Sequence, residues 1–338
     1  MRRPLRIAQI APIAQPVRPG QGDSIEQLVG LLVRRGHDVT LYATADSQTS
    51  ARLRATRACG YDDDDELWDW QFSEMLHAAE AFAHADEHDV IHAHDLHFAL
   101  PFAGLVDVPV VETQHLDSSP EVRAAQRRRP NVHLAVASEH QRAQLGDGLD
   151  VTVVPHGIDV RAFPLSERPG EYLLFLGRML PDKGPRDAIG VAHAAGMPIV
   201  LAGPIVEGHE LELGSVVDGD RVRHAGPVGQ AQRNELLAGA AALVFPATYP
   251  EPVGLVMVEA MACGTPVLAT ALGAASDIVE AGLTGYTAPA WEGLAALLPA
   301  AVALDRATIR ARAIERFDVR RMADDYQALY YRVARVPA

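Results

Sequence analysis

Short apolar segments of strand length alternate with helical patterns twice along this chain, and no other feature limits the fold as much. A strand is predicted over residues 5–11, followed by a helix with one apolar stripe and a second strand over 38–43. A strand–helix–strand opening predicts a parallel sheet with a right-handed crossover. Further strands are expected near residues 89–93, 108–112, 132–137, 151–154, 172–177, 198–202, 222–225, 242–246 and 266–269.

Two apolar stripes predict longer helices. The first stripe lines one face of a helix before the third strand, and the second belongs to the last helix of the chain. Their residues are Trp68, Phe72, Met75, Ala79 and Phe82, then Met322, Tyr326, Leu329, Tyr330 and Val333. With the strands, they indicate an α/β fold of two doubly wound domains.

Length and composition support two domains. A chain of 338 residues is too long for one ordinary core, and 48% hydrophobic residues can fill two. The stretch 160–170 contains Pro164, Pro169 and Gly170 and is typical of a linker. The expected boundaries are residues 1–160 and residues 170–318, with a separate helix over 319–338.

Charge and cysteine content exclude several classes of function. A net charge of −14 argues against nucleic acid or an anionic bilayer as the main partner. The only cysteines, Cys59 and Cys263, are too far apart in sequence for a disulfide framework or a CxxC metal site, which indicates a reducing cytoplasm. No apolar stretch approaches 18 residues, so no integral membrane segment is expected.

The only lysine of the chain, Lys183, lies between a predicted buried strand and a predicted helix start. Arg178 lies five residues earlier, in the same junction. Free N–H groups and the helix dipole favour an anion at such a position, and the two cations suit a diphosphate. The alternative is a salt-bridged surface pair.

A second constellation runs from Glu251 to Val267 and places two carboxylates eight residues apart. Glu251 lies in a Pro-rich loop, Gly254 allows close approach of a ligand, and Glu259 lies about one turn inside a buried helix. A ligand across this helix start could offer a hydroxyl to each carboxylate and phosphate oxygens to the amides of residues 254–256. Alternatively, Glu251 caps the helix and Glu259 forms a salt bridge.

Both motifs resemble those of the retaining family-4 glycosyltransferases. They read Arg178-x4-Lys183 and Glu251-Pro-x-Gly-x4-Glu259-Ala-Met-Ala-Cys-Gly-Thr-Pro-Val. The resemblance covers nearly the whole chain, including residues 35–41, 89–94 and 155–159. It implies the GT-B fold: two Rossmann-like domains facing across a cleft, with the nucleotide-sugar site in the second and a C-terminal helix that returns towards the first.

The resemblance also implies roles for individual residues. Arg178 and Lys183 would bind the diphosphate of a UDP- or GDP-sugar, and Glu251 the hydroxyls of its sugar. The residues implied to bind other parts of the donor are Glu259, at the ribose, and Gly254, Leu255 and Val256, at the phosphates and sugar. In the first domain, His115 would face the donor sugar, and Gly20 would belong to the loop near the acceptor and phosphate.

Three positions depart from the family pattern. The usual Gly-Gly pair reads Pro19-Gly20, with Gly22 beyond it; Val253 replaces a frequent aromatic residue; and His156 replaces a frequent asparagine. These departures bear on the acceptor loop and on donor choice.

The implied reaction moves a sugar to an acceptor hydroxyl with retention, without a metal or other cofactor, because Arg178 and Lys183 stabilise the leaving diphosphate. The alternatives are a sugar phosphorylase or epimerase of the same fold and a non-catalytic nucleotide-sugar-binding protein. The acceptor is a small molecule or an oligosaccharide, and the excess of arginine over lysine suggests an actinomycete natural product. His92, His94 and His97 could suggest a metal site, but no fourth ligand is evident, and a pocket-lining or core role is expected.

Overall fold

The computed structural model describes residues 3–20, 24–64, 67–206 and 216–335, apart from the side chain of Asp63. The chain divides into two compact units. The first comprises the residues up to Gly157 together with those from Val319 onward, and the second is Ile158–Asp318. The first unit is therefore built from both ends of the sequence.

Seven parallel strands among the described residues form the sheet of the first unit, in the order β3-β2-β1-β4-β5-β6-β7. Their bounds are β1 Arg6–Ile10, β2 Asp38–Ala43, β3 Arg52–Ala55, β4 Val90–Ala93, β5 Val110–Gln114, β6 Val132–Val136 and β7 Val151–Val153. The strand order reverses between β1 and β4, and sheets of this kind usually bind ligands beyond the carboxyl ends of the strands at such a reversal.

Six helices of the described chain belong to this unit: α1 Ser24–Arg34, α2 Trp70–Ala83, α3 Leu100–Ala103, α4 Pro120–Gln126, α5 Glu139–Leu145 and, from the end of the sequence, α12 Val319–Val333. The last helix packs in one apolar cluster with α1 and the strands, burying Met322, Tyr326 and Tyr330. The predicted return of the C-terminal helix is thus confirmed.

The second unit contains six parallel strands within its described part, in the order β10-β9-β8-β11-β12-β13. The strands are β8 Leu173–Leu176, β9 Ile199–Ala202, β10 Val222–His224, β11 Ala242–Phe245, β12 Val267–Thr270 and β13 Gly285–Ala288. The described helices are α6 Pro185–Ala195, α7 Gln230–Gly239, α8 Leu255–Ala262, α9 Ala275–Ile278, α10 Leu294–Val302 and α11 Arg306–Phe317. Here the order reverses between β8 and β11.

The structure adds two strands that the apolar pattern does not predict. β3 (Arg-Leu-Arg-Ala) is an edge strand with charged residues at alternate positions, and β13 begins with a glycine, so neither forms an apolar run. The stretch 160–170 also differs from a free linker, because Val160 and Phe163 are buried in the core of the second unit.

Helix α2 differs from its predicted stripe. It begins at Trp70, capped by the Asp69 carboxylate, so Trp68 precedes it and is 97% exposed. Phe82 of that stripe is buried as predicted, but the buried face also carries Glu74 and His77, which bond the amide of Ile13 and the carbonyl of Ala11. Backbone groups of the loop after β1 need partners, and these two polar side chains supply them.

Within the described residues, no helix combines the length and the apolar character needed to span a bilayer.

Candidate functional site

Two loops meet at the reversal of strand order in the second unit. β8 and β11 are neighbours in the sheet, and the chain leaves their carboxyl ends through residues 177–184 and 246–254. The amide of Thr248 donates to the carbonyl of Asp182, which joins the loops directly. Ligands of doubly wound sheets bind at such a reversal, so both sequence motifs lie where this topology forms a site.

Lys183 and Glu251 form an ion pair between these loops, from Lys183 Nζ to Glu251 Oε2. Their side chains are 19% and 21% exposed, so the pair is largely shielded but open to a ligand. The Glu251 carbonyl accepts a hydrogen bond from the Ala274 amide, which fixes the loop from the other side. A cation and a carboxylate are thereby held at a shared position.

Arg178 belongs to the same loop as Lys183 but not to this pair. It follows Gly177 at the end of β8 and is exposed, and in the described part of the chain its guanidinium has no ion-pair partner. A long cationic side chain at the edge of the loop can therefore meet an incoming anion.

The start of α8 depends on a glycine. Gly254 has φ +63°, and a Cβ atom there would lie 2.3 Å from Met257 Cε and 4.0 Å from Glu251 Cγ. The N-cap makes no side-chain hydrogen bond, so the amides of the first turn, at Leu255 and Val256, have no partner within the helix. They provide hydrogen-bond donors beside Glu251.

Glu259 lies one turn into α8, buried, and pairs with Arg233 of α7 at 3.0 Å. Burial raises the pKa of its carboxyl, and the guanidinium opposes that rise. Arg233 also lies over the Phe163 ring, with its guanidinium carbon 5.8 Å from the centroid. A salt bridge at Glu259 is one of the two predicted alternatives, but its partner Arg233 could not be predicted, because nothing in a short helical pattern distinguishes it from other arginines.

In the first unit, His115 follows β5 and lies in the middle of a hydrogen-bonded chain of buried side chains. His115 Nδ1 lies 3.2 Å from His156 Nε2, and His115 Nε2 lies 3.3 Å from His94 Nδ1. His94 Nε2 contacts Gln9 Oε1 at 3.1 Å, and Gln9 Nε2 donates to the Tyr330 hydroxyl of α12 at 2.9 Å.

The chain continues from that hydroxyl. The Tyr330 oxygen lies 2.6 Å from His92 Nδ1, and His92 Nε2 lies 2.7 Å from the Thr113 hydroxyl, which contacts Tyr326 at 2.8 Å. His92 and His94 are thus core histidines, as expected. Among the described residues, no three His, Cys, Asp or Glu side chains form a group that could hold a metal ion.

The directions of these hydrogen bonds fix the imidazole tautomers. Gln9 Oε1 accepts, so His94 carries its proton on Nε2 and accepts at Nδ1; His115 then donates from Nε2 and accepts from His156 at Nδ1. Burial lowers the pKa of His115 to about 4 and that of His156 to about 3, so both rings are neutral near pH 7. Both ring nitrogens of His115 are therefore engaged, and neither is free to accept a proton from a ligand.

Gly20 lies in the loop after β1, at the reversal of strand order in the first unit. It is exposed with φ +82°, a conformation that favours glycine. Gly22 lies outside the described residues.

Two family models match the chain consecutively. "Glycosyltransferase Family 4" matches residues 19–162, and "Glycosyl transferases group 1" matches residues 160–314. The phosphatidyl-myo-inositol mannosyltransferase of Mycobacterium leprae is 28% identical over 98% of this chain and 97% of its own. The glycogen synthase of Mycobacterium tuberculosis (strain H37Rv) is 32% identical over 59% of this chain, which spans 56% of that enzyme's length.

Solved structures share the fold. AviGT4, a glycosyltransferase of avilamycin A biosynthesis, aligns with a TM-score of 0.72 over 99% of both chains at 24% identity. Anabaena HepE in complex with UDP and glucose aligns with a TM-score of 0.71 over 96% of this chain and 99% of its own, at 19% identity. The predicted GT-B fold is confirmed.

Proposed function

The chain belongs to the family-4 glycosyltransferases, and from this we propose that it moves a sugar from a UDP- or GDP-sugar to an acceptor hydroxyl with retention of configuration. The observation that carries the proposal is the ion pair of Lys183 and Glu251 beside the uncapped start of α8. One loop pair thus offers a cation, a carboxylate and free amides to a single ligand.

Departure of the nucleotide creates negative charge on a phosphate oxygen. Lys183 and Arg178 are the groups we assign to that charge, with the amides of Leu255 and Val256 as further donors. Before the donor binds, Glu251 holds the Lys183 ammonium in place. A diphosphate then takes over the ammonium, and Glu251 is released to accept hydrogen bonds from the sugar hydroxyls.

Glu259 is assigned to the ribose. Its carboxyl is buried and Arg233 holds it by an ion pair, so its position is fixed before a ligand arrives. A charged acceptor that is already oriented binds hydroxyls without losing further side-chain entropy.

We assign His115 to the sugar end of the donor, where its neutral ring would define a wall. Both ring nitrogens are already hydrogen-bonded, so His115 is not the group that removes the acceptor proton. That proton goes to the leaving phosphate oxygen, which gains a negative charge as the glycosidic bond breaks. With two cations on the phosphates, the reaction requires no metal ion.

Two other functions remain to be distinguished by experiment: a sugar phosphorylase or epimerase, and a nucleotide-sugar-binding protein without activity. The test combines donor, acceptor and product analysis. We expect UDP- or GDP-sugars to raise the melting temperature by mass action, and an acceptor panel to yield a glycoside with the donor's anomeric configuration by NMR, with EDTA present.

Each rival predicts a different result. Phosphate-dependent release of sugar phosphate, or an epimerised donor, would identify the first. Donor binding with neither transfer nor slow hydrolysis would identify the second. Loss of activity in EDTA that Mg²⁺ or Mn²⁺ restores would contradict metal independence.

A further inference from the structure

A cavity of about 290 Å³ opens in the first unit beyond the ends of β4 and β5. The residues of its lining that matter here are His97, Glu112, Gln114, His115, Asp117 and Ser119. The volume is near the lower end of the ~300–1,000 Å³ typical of small-molecule sites. It suits a ligand of about one sugar ring.

Two polar side chains on one face of β5 line this cavity and are almost fully buried. Glu112 is 2% exposed and Gln114 is 5% exposed. Glu112 Oε1 accepts a hydrogen bond from Gln126 Nε2 at 3.1 Å. Gln114 Nε2 is buried and finds no hydrogen-bond partner in the described structure. Buried polar groups are normally paired, so an unpaired amide in a cavity wall indicates a missing partner.

A second buried carboxyl, that of Asp95, lies near enough to Glu112 to influence its charge. Asp95, which follows β4, is 1% exposed, and neither of its oxygens meets a donor at full bonding geometry among the described residues, although the Ala99 amide is near enough to favour its charged form. Burial, with a contribution from Asp95, raises the pKa of Glu112 to about 8. Burial, with a contribution from Glu74, raises that of Asp95 to about 7.

The described wall of the cavity offers Glu112 no permanently charged cation. The described residues that line it include no lysine or arginine, and His115 is neutral near pH 7. Buried carboxylates are ordinarily paired with cations or bound to metals. With no cation near it, the Glu112 carboxyl is held protonated near pH 7, and a cationic group on a ligand would let it ionise.

We propose that this cavity binds an acceptor that carries an ammonium group on a hydroxylated ring, such as an amino sugar or an aminocyclitol. On binding, the Glu112 carboxyl releases its proton to solvent and pairs as a carboxylate with the ammonium group, and a ring hydroxyl oxygen accepts from Gln114 Nε2. Calling this ligand an acceptor rests on the proposed function, because a binding cavity alone does not define a reaction. The carboxylate supplies the charge, and the amide distinguishes a polyol from a simple amine.

The test uses pairs of ligands that differ only in charge. D-glucosamine is compared with D-glucose and N-acetyl-D-glucosamine, and scyllo-inosamine with scyllo-inositol, by ligand-observed NMR titration of the full chain at pH 7.5 without donor. We expect at least one amine to bind at least tenfold more tightly than its neutral counterparts. Equal affinities, or no binding by either amine, would overturn the proposal without any variant.

The isosteric variant Glu112→Gln locates the effect. It should remove the preference for the amine, whereas Glu139→Gln, an exposed glutamate that does not line the cavity, should keep it. An amine preference that survives Glu112→Gln would contradict the assignment. Circular dichroism verifies that both variants fold.

A separate titration with UDP and GDP distinguishes failure of this inference from failure of the proposed function. If a nucleotide binds and depends on Lys183 but the amine preference is absent, only the cavity assignment is wrong. If the amine preference is present and no nucleotide binds, the cavity is a ligand site and the transferase proposal fails.

Discussion

The two units prepare their candidate sites in opposite ways. In the second unit, charges are present from the start, since Lys183 pairs with Glu251 at a largely shielded position and Arg233 pairs with the buried Glu259. In the first unit, the groups around His115 are kept uncharged by burial and linked by hydrogen bonds. A site for a departing diphosphate needs fixed charges, whereas a wall against which a sugar packs needs a fixed shape.

Removing the charge of Lys183 should have the largest effect. Lys183→Ala deletes the cation assigned to the leaving group, and kcat/KM should fall by about 10²–10³, the loss seen when one oxyanion donor is removed. The melting temperature should change little, because a partly exposed ion pair contributes about 0–1 kcal/mol. Steady-state kinetics and thermal denaturation measure both, and unchanged kcat/KM would contradict the role of the loop pair.

The two glutamates should separate by kinetic parameter. Glu251→Gln weakens contacts to the reacting sugar and should lower kcat by about tenfold or more, because it acts at the group being transferred. Glu259→Gln acts at the ribose and should mainly weaken UDP or GDP affinity, by about 1–3 kcal/mol as for a lost charged hydrogen bond. Kinetics and calorimetry distinguish them; equal, small effects would argue against both assignments.

In the first unit, Tyr330→Phe should act through shape and stability. It removes the hydroxyl shared by Gln9 and His92 and leaves buried partners unsatisfied, at a cost of about 1–3 kcal/mol. Tyr331→Phe, on the same helix, removes a hydrogen bond to the Arg3 carbonyl at the edge of the unit and should cost less. Chemical denaturation compares the two, and equal losses would mean that the internal chain adds no stability.

The smallest expected effect concerns pH. Burial lowers the pKa of His77 and His115 to about 4, so the unfolded chain binds more protons than the native one between about pH 6.5 and 4, and stability falls as pH falls through that window. Glu74, Asp95 and Glu112 have raised pKa values, of about 7, 7 and 8. Their contribution is complete below about pH 4 and is lost as pH rises towards 8.

The variant Glu112→Gln should therefore remove the share of Glu112 in the stability that is lost as pH rises from about 4.5 to 8. Melting temperatures from pH 5 to 9 measure it. Parallel profiles for the variant and the wild type would show that Glu112 does not titrate with unfolding.

How far the sequence could predict these sites differs between the units for a physical reason. Arg178, Lys183, Glu251 and Glu259 lie in two loops whose neighbours in sequence are also their neighbours in space, so spacing and residue type indicate the motif. Most of the strands were predicted because buried parallel strands are continuous apolar runs.

The environment of His115 could not be predicted in that way. Gln9, His94, His156 and Tyr330 come from four distant segments, and each is an ordinary polar residue until the sheet order brings them together. The same holds for α2, where a strong apolar stripe is largely exposed and the buried face carries Glu74 and His77. Demands of the backbone that arise only in the folded unit determined that outcome.

The contribution of α12 to the first unit has a consequence for synthesis on the ribosome. The segment up to Gly157 emerges first, yet it lacks the tyrosines that complete its interior until Val319–Val333 has been translated. Ile158–Asp318 is continuous, and all the strands of its described part are made beforehand. In ribosome-bound nascent chains of increasing length, the second unit should therefore become protease-resistant before the first unit. This is the reverse of the usual order, in which the N-terminal domain folds first.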